Sequence, residues 1–140
     1  MVCYSLYTAS RATTRAYTEL LAPWKLTYTQ YLVFVVLWTQ GEQTVRNLGE
    51  ELQLDSGTLS PLLRRLEQRG YLARSRDEKD ARVVHVRVTP EGEALRTELS
   101  HIPEQIACNM GLPDMASAQE LLASLHRLTK SMQELTAARD

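Results

Sequence analysis

The chain has 140 residues, of which 44% are hydrophobic and 24% charged, the composition of one ordinary folded domain. Its longest apolar run, residues 31–38, is far shorter than the ~20 residues that a membrane helix needs. No apolar stretch precedes Arg11, so neither a membrane segment nor a signal peptide is expected. These features predict a cytoplasmic protein whose two cysteines are thiols. The net charge of −1 argues against a protein that binds polyanions through charge alone.

Apolar residues recur with the 3.6-residue period of amphipathic helices through most of the chain. Pro23 ends the first predicted helix. Four residues are each placed to cap the helix that follows: Thr27, Thr44, Thr89 and Asp114. The chain is therefore predicted to be mainly α-helical, with six helices. In chain order they cover residues 3–22, 27–40, 44–53, a segment ending at Arg69, 89–108 and 114–137.

Two extended segments, residues 71–76 and 82–88, flank the polar loop 77–81. Valines alternate with polar residues in the second segment, as in a strand with one buried face. A short helix, a tight turn, a second helix and a two-stranded hairpin thus follow one another. This order predicts a winged helix-turn-helix over residues 44–88 that binds double-stranded DNA.

Positive charge is concentrated in the same region. Residues 55–89 contain eight Lys/Arg and five Asp/Glu, a net charge of +3, which leaves −4 for the rest of the chain. Contact with phosphates supplies much of the affinity for DNA, so this asymmetry fits a DNA-facing module.

The second helix of this module opens with small polar residues, and arginines follow one turn later. Its leucines are predicted to face the core, which leaves the polar side chains free to approach base edges. Pro61 lies inside the helix, where it either adjusts the docking angle and contacts a thymine methyl or is a tolerated irregularity. At the hairpin tip, Arg82 is placed to enter the minor groove, with its guanidinium held extended by Asp80.

Three motifs in this module resemble the MarR family of dimeric repressors: residues 55–67 (DSGTLSPLLRRLE), 70–72 (GYL) and the wing ending in 80–82 (DAR). The resemblance covers nearly the whole chain. It implies an intertwined homodimer joined through residues 1–40 and 90–140, with 44–89 as the DNA-binding module. Such a dimer would bind a pseudo-palindromic operator whose half-sites lie ~34–36 Å apart.

The same resemblance assigns roles to individual side chains of the module. The minor-groove residue would be Arg82, supported by Asp80. The residues implied to face the bases are Ser56, Thr58, Pro61 and Arg65.

Both cysteines lie outside this module. Cys3 falls in the first turn of a predicted helix, whose positive end favours the thiolate that attacks peroxides. Tyrosines recur in the first thirty-one residues, and a phenol can donate a hydrogen bond to a thiolate. Alternatively, Cys3 is a small core residue and the tyrosines pack in an interface.

The segments 3–7 (CYSLY) and 26–31 (LTYTQY) resemble the organic hydroperoxide sensor (OhrR) branch of the family. This resemblance implies that Cys3 is the peroxide-reactive cysteine and that Tyr17 and Tyr28 of the partner subunit hydrogen-bond to it. Tyr7 matches another aromatic residue of the pocket, and Cys108 matches the resolving cysteine of the two-cysteine type. Peroxide would oxidise Cys3 to sulfenic acid, and a disulfide with Cys108 of the other subunit would release the operator.

The chain departs from the family pattern at its N-terminus. Cys3 lies two residues from the start, whereas family members usually carry a longer leader before this cysteine. Either the chain starts late or part of the dimer interface is missing.

Other functions stay open. A MarR-type repressor released by a small phenolic or aromatic ligand would use the same DNA-binding module. A thiol peroxidase would consume peroxide with turnover, although it would need neither the basic module nor the wing. A metal sensor is disfavoured because the three histidines have no ligand spacing with either cysteine. Redox signalling is stoichiometric, so we expect no enzymatic activity, cofactor or metal.

Overall fold

The structure is a computed structural model that describes residues 1–138. Residues 139–140, which the predicted dimerisation segment 90–140 includes, lie outside the described residues. The elements are α1 (Val2–Leu21), a 3-10 helix (Ala22–Trp24), α2 (Tyr28–Gln40), β1 (Gln43–Thr44), α3 (Val45–Leu52), α4 (Ser56–Gln68), β2 (Leu72–Arg76), β3 (Val84–Val88), α5 (Pro90–Glu98), α6 (His101–Cys108) and α7 (Met115–Ala137).

The mainly helical fold class with a small β-wing is confirmed. The described chain forms two compact units, Met1–Ile102 and the residues from Pro103 onward. No single helix within residues 1–138 is long and apolar enough to span a membrane. By length and composition alone, α1 with its 3-10 extension and α2 would pass that test as a pair bent by 82°.

Helix α2 forms the centre of the first unit, because α1, α3, α4, α5 and β3 all contact it. Its Val33 and Phe34 are fully buried. Thr27 caps the helix as predicted: its hydroxyl accepts a hydrogen bond from the Gln30 N–H at 3.2 Å, and the Gln30 side chain accepts one from the Thr27 N–H at 3.0 Å. Sequence-local capping thus sets the start of the central helix.

The sheet has three antiparallel strands in the order β1-β3-β2. In the hairpin, Leu72 of β2 lies opposite Val88 of β3, and Val86 is fully buried. The sequence predicted the hairpin but not β1, which pairs with Val86 and His85. A two-residue strand is too short to show an alternating pattern.

The helix predicted over residues 89–108 is divided into α5 and α6. Thr89 caps it as predicted, with Pro90 as the first helical residue. The cause of the division is Pro103, which has no N–H to donate to the Leu99 carbonyl and whose ring would collide with it. Leu99 and Ile102 on either side of the break are buried, which anchors it in the core of the first unit.

The second unit contains α7, which Asp114 caps by accepting a hydrogen bond from the Ser117 N–H at 2.8 Å. This bond lowers the pKa of Asp114 below its ordinary value. None of the described side chains of α7 is buried. Its exposed apolar residues are Met115, Leu121, Leu122, Leu125, Met132 and Leu135.

Candidate DNA-binding surface and cysteine site

The start of α4 is fixed by a local cap. The Asp55 carboxylate accepts hydrogen bonds from the Thr58 N–H at 2.8 Å and from the Thr58 hydroxyl at 3.2 Å. Because these donors stabilise its charged form, the pKa of Asp55 lies below its ordinary value. The hydroxyl proton of Thr58 is engaged by this cap, which leaves its oxygen to accept a bond from a base or a donor side chain.

Helix α4 is amphipathic in the way the sequence indicates. Leu59, Leu63 and Leu66 are buried, whereas Leu62 is only half-buried. The helix continues through Pro61, so the Gly57 carbonyl lacks its usual intrahelical donor. The four predicted base-facing residues are all exposed: Ser56, Thr58, Pro61 and Arg65.

At the wing tip, Asp80 binds the Arg82 guanidinium through both carboxylate oxygens. The Nε–Oδ1 distance is 3.0 Å and the Nη2–Oδ2 distance is 3.1 Å, and Oδ1 also accepts the Arg82 N–H at 3.0 Å. Arg82 nevertheless remains 91% exposed, and its hydrogen bonds lower the pKa of Asp80. The geometry presents a preorganised, solvent-exposed guanidinium at the end of the hairpin.

Sequence reasoning missed the role of His85 at the base of this tip. Its Nε2 lies 3.2 Å from an Asp77 carboxylate oxygen, and its Nδ1 lies 3.4 Å from Glu42. Asp77 also accepts the N–H groups of Lys79 and Asp80, and these bonds lower its pKa. His85 therefore ties the tip to the residue that precedes β1. The sequence offered one signal: valines alternate over residues 82–88, which places His85 on the polar face of the hairpin.

Two basic residues of the module stabilise the fold instead of standing free. Arg74 binds Glu67 with an Nε–Oε2 distance of 2.9 Å, and this pair lowers the pKa of Glu67. Arg69 donates hydrogen bonds to the carbonyls of Trp24 and Lys25. The remaining Lys and Arg side chains of the module are exposed, namely Arg46, Arg64, Arg65, Arg76, Lys79, Arg82 and Arg87.

A cavity of about 850 Å³ lies between α3, the start of α4 and the hairpin. Its apolar wall includes Val45, Leu59 and Val84. Charged residues also line it, among them Arg46 and Arg82. Glu50 lines it too and pairs with Arg46 at 2.9 Å, so the cavity suits a small ligand with an apolar body and polar groups.

The two cysteines occupy different environments. Cys3 lies in the first turn of α1, exposed, with Tyr7 exposed one turn later. Cys108 is the last residue of α6 and is also exposed. Both are free thiols. Within residues 1–138, no group of three or more His, Cys, Asp or Glu side chains is arranged to hold a metal ion.

Three tyrosine rings meet where α1 packs on α2. Tyr17 stacks on Tyr28 with ring centroids 4.3 Å apart, and on Tyr31 at 5.5 Å. Burial raises the pKa of all three phenols, that of Tyr31 to about 12. A phenol is already neutral, and a hydrogen-bond donor, at physiological pH, and burial extends the neutral range of these three further into alkali. The resemblance implied a pocket of Tyr7, Tyr17 and Tyr28; within this chain the cluster contains Tyr31 instead of Tyr7, which is exposed near Cys3.

The structure does not bring this cluster near the cysteine of its own chain. Cys3 and Tyr17 lie fourteen residues apart on the continuous helix α1. At ~1.5 Å per residue this separates them by about 21 Å along the axis. The Cys3 thiolate can therefore contact such a cluster only in another molecule.

A helix-turn-helix with an exposed polar face on its second helix, followed by a hairpin that presents an arginine, defines a winged helix-turn-helix protein. The chain belongs to the MarR family. The pattern of that family matches residues 26–84, from the start of α2 to the start of β3.

Curated relatives match nearly the full chain. The HTH-type transcriptional regulator TtmR of Methylorubrum extorquens is 40% identical over 97% of this chain and 68% of its own length. The organic hydroperoxide resistance transcriptional regulator of Bacillus subtilis is 37% identical over 95% of this chain and 90% of its own length.

Solved structures show the same fold. Reduced AbfR bound to DNA is 30% identical, with a TM-score of 0.82 over 96% of this chain and 91% of its own; AbfR comes from Staphylococcus epidermidis. The disulfide-formed state of AbfR superposes less well, with 31% identity and a TM-score of 0.66 over 96% of this chain and 88% of its own. This chain is thus a MarR-type transcriptional regulator.

Proposed function

We propose that this regulator is a cytoplasmic repressor that binds a pseudo-palindromic operator as a homodimer and leaves it when an organic hydroperoxide oxidises Cys3. The observation that carries the proposal is the cluster of neutral phenols at Tyr17, Tyr28 and Tyr31, about 21 Å along α1 from Cys3 of the same chain. In an antiparallel pairing of two α1 helices, each Cys3 meets the cluster of the partner. Similarity to the hydroperoxide resistance regulator of Bacillus subtilis supports the same chemistry.

DNA binding is assigned to the module of residues 44–89. The exposed start of α4 enters the major groove, with Ser56, Thr58, Pro61 and Arg65 facing base edges or phosphates. Arg82, held by Asp80, enters the adjacent minor groove, where negative potential attracts guanidinium groups. Among similar proteins, reduced AbfR has been solved bound to DNA.

Dimerisation is assigned to residues 1–40 and 90–140. The first turns of α1 expose Val2, Tyr4 and Tyr7, and α7 exposes a series of leucines and methionines. Apolar residues at this density on otherwise polar helices are typical of surfaces that another helix covers. A dimer through these helices leaves the two DNA-binding modules free to reach successive major grooves.

The redox reaction requires two thiols and one hydroperoxide. The Cys3 thiolate attacks the terminal oxygen of the hydroperoxide and the O–O bond breaks. The terminal oxygen stays on sulfur as the sulfenic acid, and the alkoxide leaves and is protonated to an alcohol. The Cys108 thiolate of the partner subunit then attacks the Cys3 sulfur, and a disulfide forms with the release of water. Tyr17 and Tyr28 of the partner subunit donate hydrogen bonds to the Cys3 sulfur. Tyr7 lines the pocket that holds the apolar tail of the hydroperoxide.

Disulfide formation requires the two Cα atoms to come within roughly 7 Å of each other. This constraint repositions α1 and α6 and rotates the DNA-binding modules out of register with the operator. A hundredfold loss of affinity corresponds to about 2.8 kcal/mol, which a small repacking of helices can supply.

The experiment is an operator-release assay on the purified protein. Cumene hydroperoxide should release the operator from the wild type, whereas salicylate should not. Cys3→Ser should bind DNA and resist the peroxide. Cys108→Ser, the matched control, should still respond but stop at the sulfenic acid and over-oxidise. Continued release of the Cys3→Ser variant by peroxide would refute the proposal.

A second candidate is release by a small aromatic or phenolic ligand. The cavity beside α4, with its apolar wall and arginines, favours it because a ligand seated there would contact the start of α4 and Arg82. In that case salicylate would release the operator equally well from the wild type and from Cys3→Ser.

A further inference from the structure

The connection between α1 and α2 is a tight elbow, defined here as residues 22–26. The two helices meet there at 82°. Lys25 is the C-cap of the 3-10 helix, and its φ of 52° lies in the left-handed region. Its N–H donates a hydrogen bond to the Ala22 carbonyl at 2.9 Å. A lysine in this conformation needs support from its surroundings, and the carbonyls at the end of the helix need donors.

Arg69, the C-cap of α4, supplies those donors. Its Nη1 donates to the Lys25 carbonyl at 2.9 Å, and its Nη2 donates to the Trp24 carbonyl at 2.6 Å. The guanidinium also lies over the Tyr71 ring, 4.8 Å from the centroid. A planar fork can bind two adjacent carbonyls at once, which a lysine ammonium does not reproduce.

The end of α5 is fixed to the same elbow. The Trp24 Nε1 donates to the Glu98 carboxylate at 2.7 Å, and the Trp24 ring lies 6.0 Å from the ring of His101. His101 begins α6, the helix that ends with Cys108. The elbow therefore joins three parts of the chain: α1, which carries Cys3 in its first turn, the α5–α6 junction and the C-terminal end of α4.

We infer that Arg69 is a positioning residue that transmits movement of α1 and α6 to α4. The clasp formed by Arg69, Trp24 and Glu98 makes the elbow and the end of α4 move as one body. Reorientation of the cysteine-bearing helices then changes how α4 meets DNA. The inference rests on the proposed redox function. Arg69 itself is exposed, so its substitution leaves the buried core intact.

The test uses Arg69→Lys, which keeps the charge and removes the fork. The matched control is Arg96→Lys, because Arg96 is exposed on α5 and has no hydrogen-bond or ion-pair partner within residues 1–138. In the reduced state, the operator affinity of Arg69→Lys should lie within about threefold of the wild-type value. On oxidation, this variant should lose the Cys3 thiol and form the disulfide at the wild-type rate. Its operator affinity should fall less than about tenfold on oxidation, against about a hundredfold for wild type and Arg96→Lys. A wild-type loss of affinity in oxidised Arg69→Lys would overturn the inference.

Hydrogen exchange separates this inference from the proposed function. Operator binding should slow amide exchange in α4 of both proteins, but at the elbow only in the wild type. Equal elbow protection in wild type and Arg69→Lys would refute the clasp even where peroxide releases both. Failure of peroxide to release the operator from the wild type would refute the redox function. Loss of elbow protection in Arg69→Lys would still support the clasp as a link between DNA and the elbow.

Discussion

Burial changes the chemistry of the tyrosines that meet between α1 and α2. Tyr31 is 4% exposed, and burial together with the neighbouring phenols of Tyr17 and Tyr28 raises its pKa to about 12. The sequence shows that tyrosines recur, but not which of them stack, because the contact depends on the angle between two helices. The pairing of Tyr17 with Tyr31 is accordingly a result of the structure alone.

This burial predicts an alkaline transition. The folded-state pKa of Tyr31 is raised above the ordinary value of 10.0, so the stability that its neutral phenol contributes is fully present below pH 10 and is lost as pH rises toward about 12. Absorbance at 295 nm should show a tyrosine that ionises in this window, and Tyr31→Phe should remove that step. Coincident titration curves for the two proteins above pH 11 would show that Tyr31 is not buried in solution.

Arg82 gives a second prediction for a single side chain. Arg82→Ala should weaken operator binding and reduce the slope of log K against log salt by about one, because one cation at the DNA surface is lost. Asp80→Asn is the matched variant: it keeps Arg82 but removes its charged partner, so affinity should change while the slope is not reduced. An unchanged slope for Arg82→Ala would remove this residue from the DNA contacts.

Helix caps and ends are the elements that the sequence predicted best. Thr27, Thr44, Thr89 and Asp114 all cap helices, since a cap is a hydrogen bond within three residues. The interruption between α5 and α6 was not predicted, because the helical pattern over residues 89–108 outweighed the single proline at position 103. The clasp of Arg69 on the elbow joins residues 44 and 45 positions apart, and no local pattern indicates a contact of that range.

The junction of α5 with the hairpin predicts a sensitive glycine. A Cβ at Gly92 would overlap the Tyr71 carbonyl oxygen and the Val88 side chain, so Gly92→Ala must displace backbone. Its free energy of unfolding, measured in urea, should fall by about 1–3 kcal/mol. Glu93→Ala, exposed on the next position of α5, should change it by less than about 0.5 kcal/mol. Equal values for the two variants would contradict this packing.

At the scale of the whole molecule, the proposed redox function requires a second copy of the chain. The distance along α1 separates Cys3 from the tyrosines of its own subunit, and the apolar residues of α7 are exposed. Family resemblance suggested the dimer and the roles of both cysteines, whereas the residues alone favoured a plain packing role for Cys3. Geometry adds that a contact between Cys3 and the cluster of Tyr17 and Tyr28 has to cross between subunits.

Isotope mixing tests this arrangement. Dimers formed from nitrogen-15-labelled and unlabelled protein should, after peroxide treatment, yield Cys3–Cys108 peptides with one labelled and one unlabelled partner. Cys108→Ser should give no crosslinked dimer on non-reducing electrophoresis. Crosslinked peptides with only matching labels would place the disulfide within one chain, and a crosslink in Cys108→Ser would refute the pairing.

In the proposed function, the oxidation state of Cys3 controls operator binding. The most direct measurement titrates the operator-bound protein with less than one equivalent of cumene hydroperoxide and follows free DNA and the Cys3 thiol in the same sample. Release of the operator should track the loss of the Cys3 thiol and stop when the peroxide is consumed. Dithiothreitol should restore operator binding. Release without loss of the thiol, or peroxide consumption that continues over many equivalents while DNA stays bound, would contradict it.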